Sequence, residues 1–243
     1  MKQIKEVDIL AIGVHPDDVE LSCSGTLLKH ISMGYTVGLC DLTEGELGTR
    51  GNRETRYEEA ENAAHILGVT FRTNLQLPDG FMMGDKETLI KIGKIVRLAK
   101  PKIVICNAIH DRHPDHGRSA KIVSDACFYS GLSKIEITDE AGNAIAPHRP
   151  KAVYHYIQDR TLNPDFAVDI TDFFDKKMEA ILAFKTQFYE PGMQGPQTPI
   201  SGEDFLDFIK SKNRVHARDI GAKYAEGFTV ERIPGVEDMV KLR

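Results

Sequence analysis

Apolar positions along the chain follow two spacings. Val7–Val14, Thr36–Leu42 and Lys102–Asn107, the last centred on Ile103-Val104-Ile105-Cys106, are nearly unbroken apolar runs. Runs of this length, rich in β-branched residues, predict strands buried on both faces. Between them the spacing turns helical. Val19–Met33 carries Leu21, Leu27, Leu28 and Ile31 and stops at Gly34. A second helix starts from an Asn52 cap and runs through Ala60, Ala63, Ala64 and Leu67 to Gly68. A third, Lys86–Lys100, carries Leu89, Ile92, Ile95 and Val96 and ends at Pro101. Caps, C-terminal glycines and a terminating proline mark these ends physically.

Val69–Leu77 and Lys151–Ile157 read as further strands, and Arg118–Tyr129, Phe173–Phe188 and Glu203–Tyr224 as helices. Strand alternating with helix predicts an α/β protein: a Rossmann-like, doubly wound, mostly parallel sheet with helices on both faces. Ile135–Pro150 reads as a polar surface insertion, and the proline-containing stretch Tyr189–Ser201 as a loop or lid. The whole chain, 1–243, is expected to be one domain, with 189–243 a C-terminal helical or lid extension.

Composition narrows the class. With 243 residues the chain can bury a full core without covalent staples, and 41% hydrophobic with 28% charged residues is ordinary for a globular protein. A net charge of −5 gives no support for a nucleic-acid or anionic-membrane partner. The four cysteines form no CxxC pair, and three sit in apolar stretches, as in proteins of a reducing compartment. No signal-peptide core and no long apolar span are visible, so a cytoplasmic location is expected.

Chemistry-bearing residues collect at two strand ends. His15-Pro16-Asp17-Asp18 follows the first strand, and His113-Pro114-Asp115-His116 follows the run centred on Ile103–Cys106. In an open α/β sheet the carboxyl ends of the strands are where ligands bind, and a parallel sheet brings these two loops together. Two imidazoles and a carboxylate with one open position form the donor set of catalytic zinc, and the spacing favours His15, Asp18 and His116. The same donors also suit ferrous iron. Asp17, left off the metal, is placed to take a proton from water. His113 is placed to stabilise an oxyanion or protonate a leaving nitrogen, and Asp115 to hold an imidazole in its useful tautomer.

These paired motifs resemble the LmbE/PIG-L family of zinc-dependent N-deacetylases, over most of residues 7 to 190. The resemblance implies the same assignments: metal on His15, Asp18 and His116, general base Asp17, electrophilic His113. It also implies N-acetylglucosaminyl conjugates as substrates and a homo-oligomer, with a hexamer suggested. Gly45–Gly51 and Ala183–Phe188 most resemble the branch acting on N-acetylglucosaminyl-malate in bacillithiol biosynthesis. Thr138–Pro147 departs from the family by being longer, which bears on substrate and assembly rather than reaction. Alternatives are an amidase or deacetylase for another amino-sugar conjugate, and a metal-containing binding module without turnover.

Cations near the second helix are candidate substrate contacts. Arg53 and Arg56 sit near its amino end, where they oppose the helix dipole. An anionic ligand would explain them; pairing with Glu54, Glu58 and Glu59 on a solvated face is the other explanation. The resemblance favours Arg56. Arg149 and Tyr189 are weaker candidates for contacts with substrate. The loop 45–51 matches neither a P-loop nor a dinucleotide fingerprint, so no nucleotide cofactor is expected.

Overall fold

The computed structural model describes residues 3–189, 191–192 and 194–241. Seven strands form one sheet: β1 (Ile9–Gly13), β2 (Val37–Asp41), β3 (Phe71–Asn74), β4 (Ile103–Cys106), β5 (Ala152–Tyr156), β6 (Phe166–Asp169) and β7 (Ala225–Val230). Their order is β3-β2-β1-β4-β5-β7-β6. The first five are parallel, with Ile9 opposite both Val37 and Ile103, while β7 runs antiparallel between β5 and β6. Six helices cross or flank the sheet: α1 (Asp18–Ser32), α2 (Arg53–Leu67), α3 (Lys86–Ala99), α4 (Pro114–Ser130), α5 (Phe174–Leu182) and α6 (Glu203–Arg218).

The sheet is covered on both faces because β1 is apolar at every position. Leu10 and Ile12 face Ile92, Val96 and Val123 of α3 and α4; Ile9 and Ala11 face Val19, Cys23 and Leu27 of α1. α2 is capped as expected: Asn52 accepts from the Thr55 N–H, Thr55 reaches back to the Asn52 N–H, and Gly68 closes the helix in the left-handed region at φ 72°.

Several boundaries differ from the sequence reading. α4 starts at Pro114, four residues earlier, because proline suits a first helical position and the His113 ring accepts from the Asp115 N–H as the cap. α5 stops at Leu182, and residues 183–188 turn back over α2, where Thr186 donates to Glu59. α6 stops at Arg218, and the strands β6 and β7 were not anticipated. The 189–243 region is therefore more than a helical extension, since it inserts a strand into the sheet. The 135–150 insertion is fastened: the buried Arg97 guanidinium donates to the carbonyls of Ser130, Leu132, Ile135 and Ile145.

Candidate metal centre and substrate cavity

β1 and β4 are neighbours, so the loops at their carboxyl ends meet. His15, His113 and His116 each bring a ring nitrogen within 4.8 Å of the others. The ring centres are 4.8 to 5.6 Å apart. Asp18, the first residue of α1, lies beneath them: His116 Nε2 is 3.3 Å from its Oδ1, and His15 Nδ1 is 3.7 Å from its Oδ2. The expected triad of His15, Asp18 and His116 is thus brought together, with His113 beside it.

The outer partners orient each ring. His116 Nδ1 is 2.6 Å from Asp111 Oδ2, and His15 Nε2 is 2.9 Å from Asp79 Oδ1. With one nitrogen committed to a carboxylate, the ring's other nitrogen faces Asp18 and would become the donor to a metal on losing its proton, the arrangement of metal-binding histidines. Asp18 is itself held by the side-chain amides of Gln158 at 2.6 Å and Asn107 at 2.9 Å. Asp115 does not play the part expected of it. Its carboxylate accepts from the Gly80 N–H and the Arg118 guanidinium, and stays 3.9 Å from His15. Asp79 and Asp111 hold the imidazoles instead.

The electrostatics favour a cation. Burial opposes charging His116, yet the carboxylates of Asp18 and Asp111 outweigh it and hold its pKa up near 10. His15 is likewise raised, its burial outweighed by Asp79 and Asp18. Imidazoles that hold protons against burial report an excess of negative field, and these donors fit a divalent ion of the zinc class. His113 is shifted the other way, by burial and by its two histidine neighbours, and stays neutral near pH 7.

Asp17 carries a non-glycine backbone at φ 124°, ψ −24°. Its buried carboxyl is pushed up to about 7, chiefly by desolvation and partly against the Arg56 guanidinium 3.3 Å away. Arg56 itself is buried, and also donates to the carbonyls of Pro16 and Gly45.

A cavity of about 260 Å³ opens over these groups. Arg56 lines it; Arg53, Arg149 and Tyr189 do not. Arg53 is exposed and pairs with Glu44 at 3.3 Å. Arg149 lies across the molecule, stacked 4.3 Å over Phe128 and donating to its carbonyl. A charged residue near an element end gave no way to distinguish these positions from Arg56. Asp79, Asp111, Asn107, Gln158 and Lys212 were missed. For Asp79 and Asp111 a signal existed: both are acidic residues in loops past the carboxyl end of a strand.

The family model of PIG-L, GlcNAc-PI de-N-acetylase, matches residues 10–127, which hold both histidine motifs. Over that stretch the chain is similar to the PIG-L family. The structure of a conserved protein of Thermus thermophilus, TT1542, superposes with a TM-score of 0.83 at 32% identity, covering 95% of this chain and 98% of that one. A diacetylchitobiose deacetylase of Thermococcus kodakarensis is 27% identical over 94% of this chain and 84% of its own length. A 4-oxalmesaconate hydratase of Pseudomonas putida is also 27% identical, over 71% and 70%. A probable N-acetyl-α-D-glucosaminyl L-malate deacetylase of Bacillus anthracis is 24% identical over 86% and 99%. The names of these relatives therefore cover more than one reaction.

Proposed function

We propose that this protein is a zinc-dependent N-deacetylase of the PIG-L type acting on amino-sugar conjugates, with N-acetylglucosaminyl-malate as the substrate that fits the bacillithiol-type resemblance. The observation that carries the reading is the convergence of His15, Asp18 and His116 beside a buried carboxyl, Asp17, whose pKa of about 7 suits proton transfer at neutral pH. A zinc-class ion on His15, Asp18 and His116 would supply Lewis acidity toward the amide carbonyl and water.

Asp17 takes the proton of the attacking water. His113 already accepts the Asp115 N–H at Nδ1, so its Nε2 carries the hydrogen that meets the developing oxyanion. The C–N bond then breaks, and Asp17 returns the proton to the leaving nitrogen, giving acetate and a free amine. Arg56 keeps Asp17 in place on one wall of the cavity. The same reading carries a cytoplasmic homo-oligomer with no nucleic-acid or membrane partner; among the described residues no helix is long and apolar enough to cross a membrane.

The test is acetate and primary-amine release by metal-loaded protein from N-acetylglucosaminyl-malate and from diacetylchitobiose. Equal amounts of both products are expected, and Asp17→Asn should lower turnover about 10²–10⁴-fold while bound metal is retained. Near-normal activity of that variant would overturn the mechanism. Silence toward both amides, with loss of a conjugated double bond in a 4-oxalmesaconate assay, would favour the hydratase relative.

A further inference from the structure

The cavity is also lined by a cation with no ion-pair partner. Phe205, Phe208, Ile209 and Lys212 recur at helical spacing, so α6 turns one face into the cavity. Among the described residues the Lys212 ammonium forms no ion pair. It donates to the main-chain oxygen of Gln158 at 2.5 Å and stands 5.8 Å from the centre of the Phe208 ring.

The carboxylates that act on Lys212 from the neighbouring loops are committed elsewhere. Asp159 is paired with Arg112 at 2.5 Å, and Asp111 with His116 at 2.6 Å. Burial, with Lys177 behind it, pushes the Lys212 pKa down to about 8, so the cation is held there against desolvation. The other cavity cations are occupied: Arg56 by Asp17 and two carbonyls, Arg112 by Asp159.

Gln158 fixes where this ammonium stands. Its main-chain oxygen takes Lys212, and its side-chain amide holds Asp18 at 2.6 Å. The cation is therefore one residue removed from the candidate metal ligands, on a wall shared with two aromatic rings.

We propose that Lys212, backed by Phe205 and Phe208, forms an aglycone subsite for a carboxylate on the amino-sugar conjugate, so that acidic conjugates are selected over neutral ones. The proposal rests on the N-deacetylase reading above. One ammonium pairs with one carboxylate of such a conjugate, and a second carboxylate can remain in solvent at the cavity mouth. The aromatic faces suit the C–H surface of the sugar or of the acid's carbon chain.

The test compares kcat/KM for N-acetylglucosaminyl-malate and its neutral dimethyl ester, with diacetylchitobiose alongside, in metal-loaded wild type, Lys212→Met and Lys212→Arg. Wild type should favour the acid over the ester by about tenfold, the size of one partly buried charged hydrogen bond. Lys212→Met should bring that ratio to near one, mainly through KM for the acid, and Lys212→Arg should keep most of it. A wild-type ratio near one, or an unchanged ratio in Lys212→Met, overturns the subsite while leaving the deacetylase intact. Amine release from none of the three conjugates removes the deacetylase reading, and the subsite with it.

Discussion

At Asp17 the backbone adopts φ 124°, a region that a non-glycine residue occupies only when its surroundings hold it there. Pro16 before it, Asp18 after it and the Arg56 guanidinium across the loop supply that hold. The effect is to aim one carboxylate of an Asp-Asp pair at the proposed ligand cluster and the other at solvent-derived protons. The imidazoles depend on similar support. Asp111 accepts from His116 and from the Arg160 N–H, so it fixes both the tautomer of the ring and the loop beyond β5. Asp111→Asn should therefore weaken metal binding about 10–100-fold, read by competition with a chelator, with the fold retained. Unchanged metal affinity would show that the ring is oriented without its carboxylate. His15 and Asp18 were legible as a motif, and Asp111 lies in the same loop as His116, but Asp79 became the partner of His15 only once loops far apart in the chain had been brought together.

The elements are joined by a buried ion pair rather than by apolar contacts alone. Lys177 of α5 and Glu226 of β7 are fully buried and 2.7 Å apart. Glu226 accepts the main-chain N–H groups of Gly25 and Thr26 in α1, while Lys177 donates to the carbonyls of Glu20 and Leu21 in the same helix. One charge pair thus fastens α5 and β7 to the helix that begins at Asp18. Lys177→Met leaves Glu226 as an uncompensated buried charge and should cost about 3–5 kcal/mol in urea unfolding. A loss below about 1 kcal/mol would mean that the helix N–H groups alone satisfy the carboxylate. Nothing in the local pattern around Lys177 distinguishes it from an exposed lysine on an amphipathic helix, which is why neither it nor β7 was read from the sequence.

For the molecule as a whole, acid sensitivity should come in part from His216, on the α6 face packed against Gly227 of β7. Burial, and then the nearby Lys212, hold its pKa down to about 4, and its Nδ1 lacks a hydrogen-bond partner among the described residues. Its folded pKa lies below its unfolded one, so the unfolded chain binds more protons between pH about 6.5 and 4, and stability falls as pH falls through that window. The loss should reach about 2 kcal/mol at pH about 5 relative to pH about 7.5. His216→Leu should flatten this part of the curve in denaturant titrations at the two pH values. An equally steep curve in the variant would assign the acid loss to other groups.

Taken alone, the sequence determined the parallel half of the sheet and the two histidine clusters. Unbroken apolar runs have few structures open to them, and β1 and β4 deliver their following loops to one edge wherever they pair. The ends of α2 and α3 were equally local, set by Asn52, Gly68 and Pro101. Only the tertiary structure decided the rest. It placed Arg56 inside the cavity while sending Arg53 to solvent and Arg149 to the opposite side. It threaded β7 between β5 and β6, and turned Lys212 toward the cavity. Those outcomes depend on contacts between residues far apart in the chain, and such contacts leave no period in the sequence to be read.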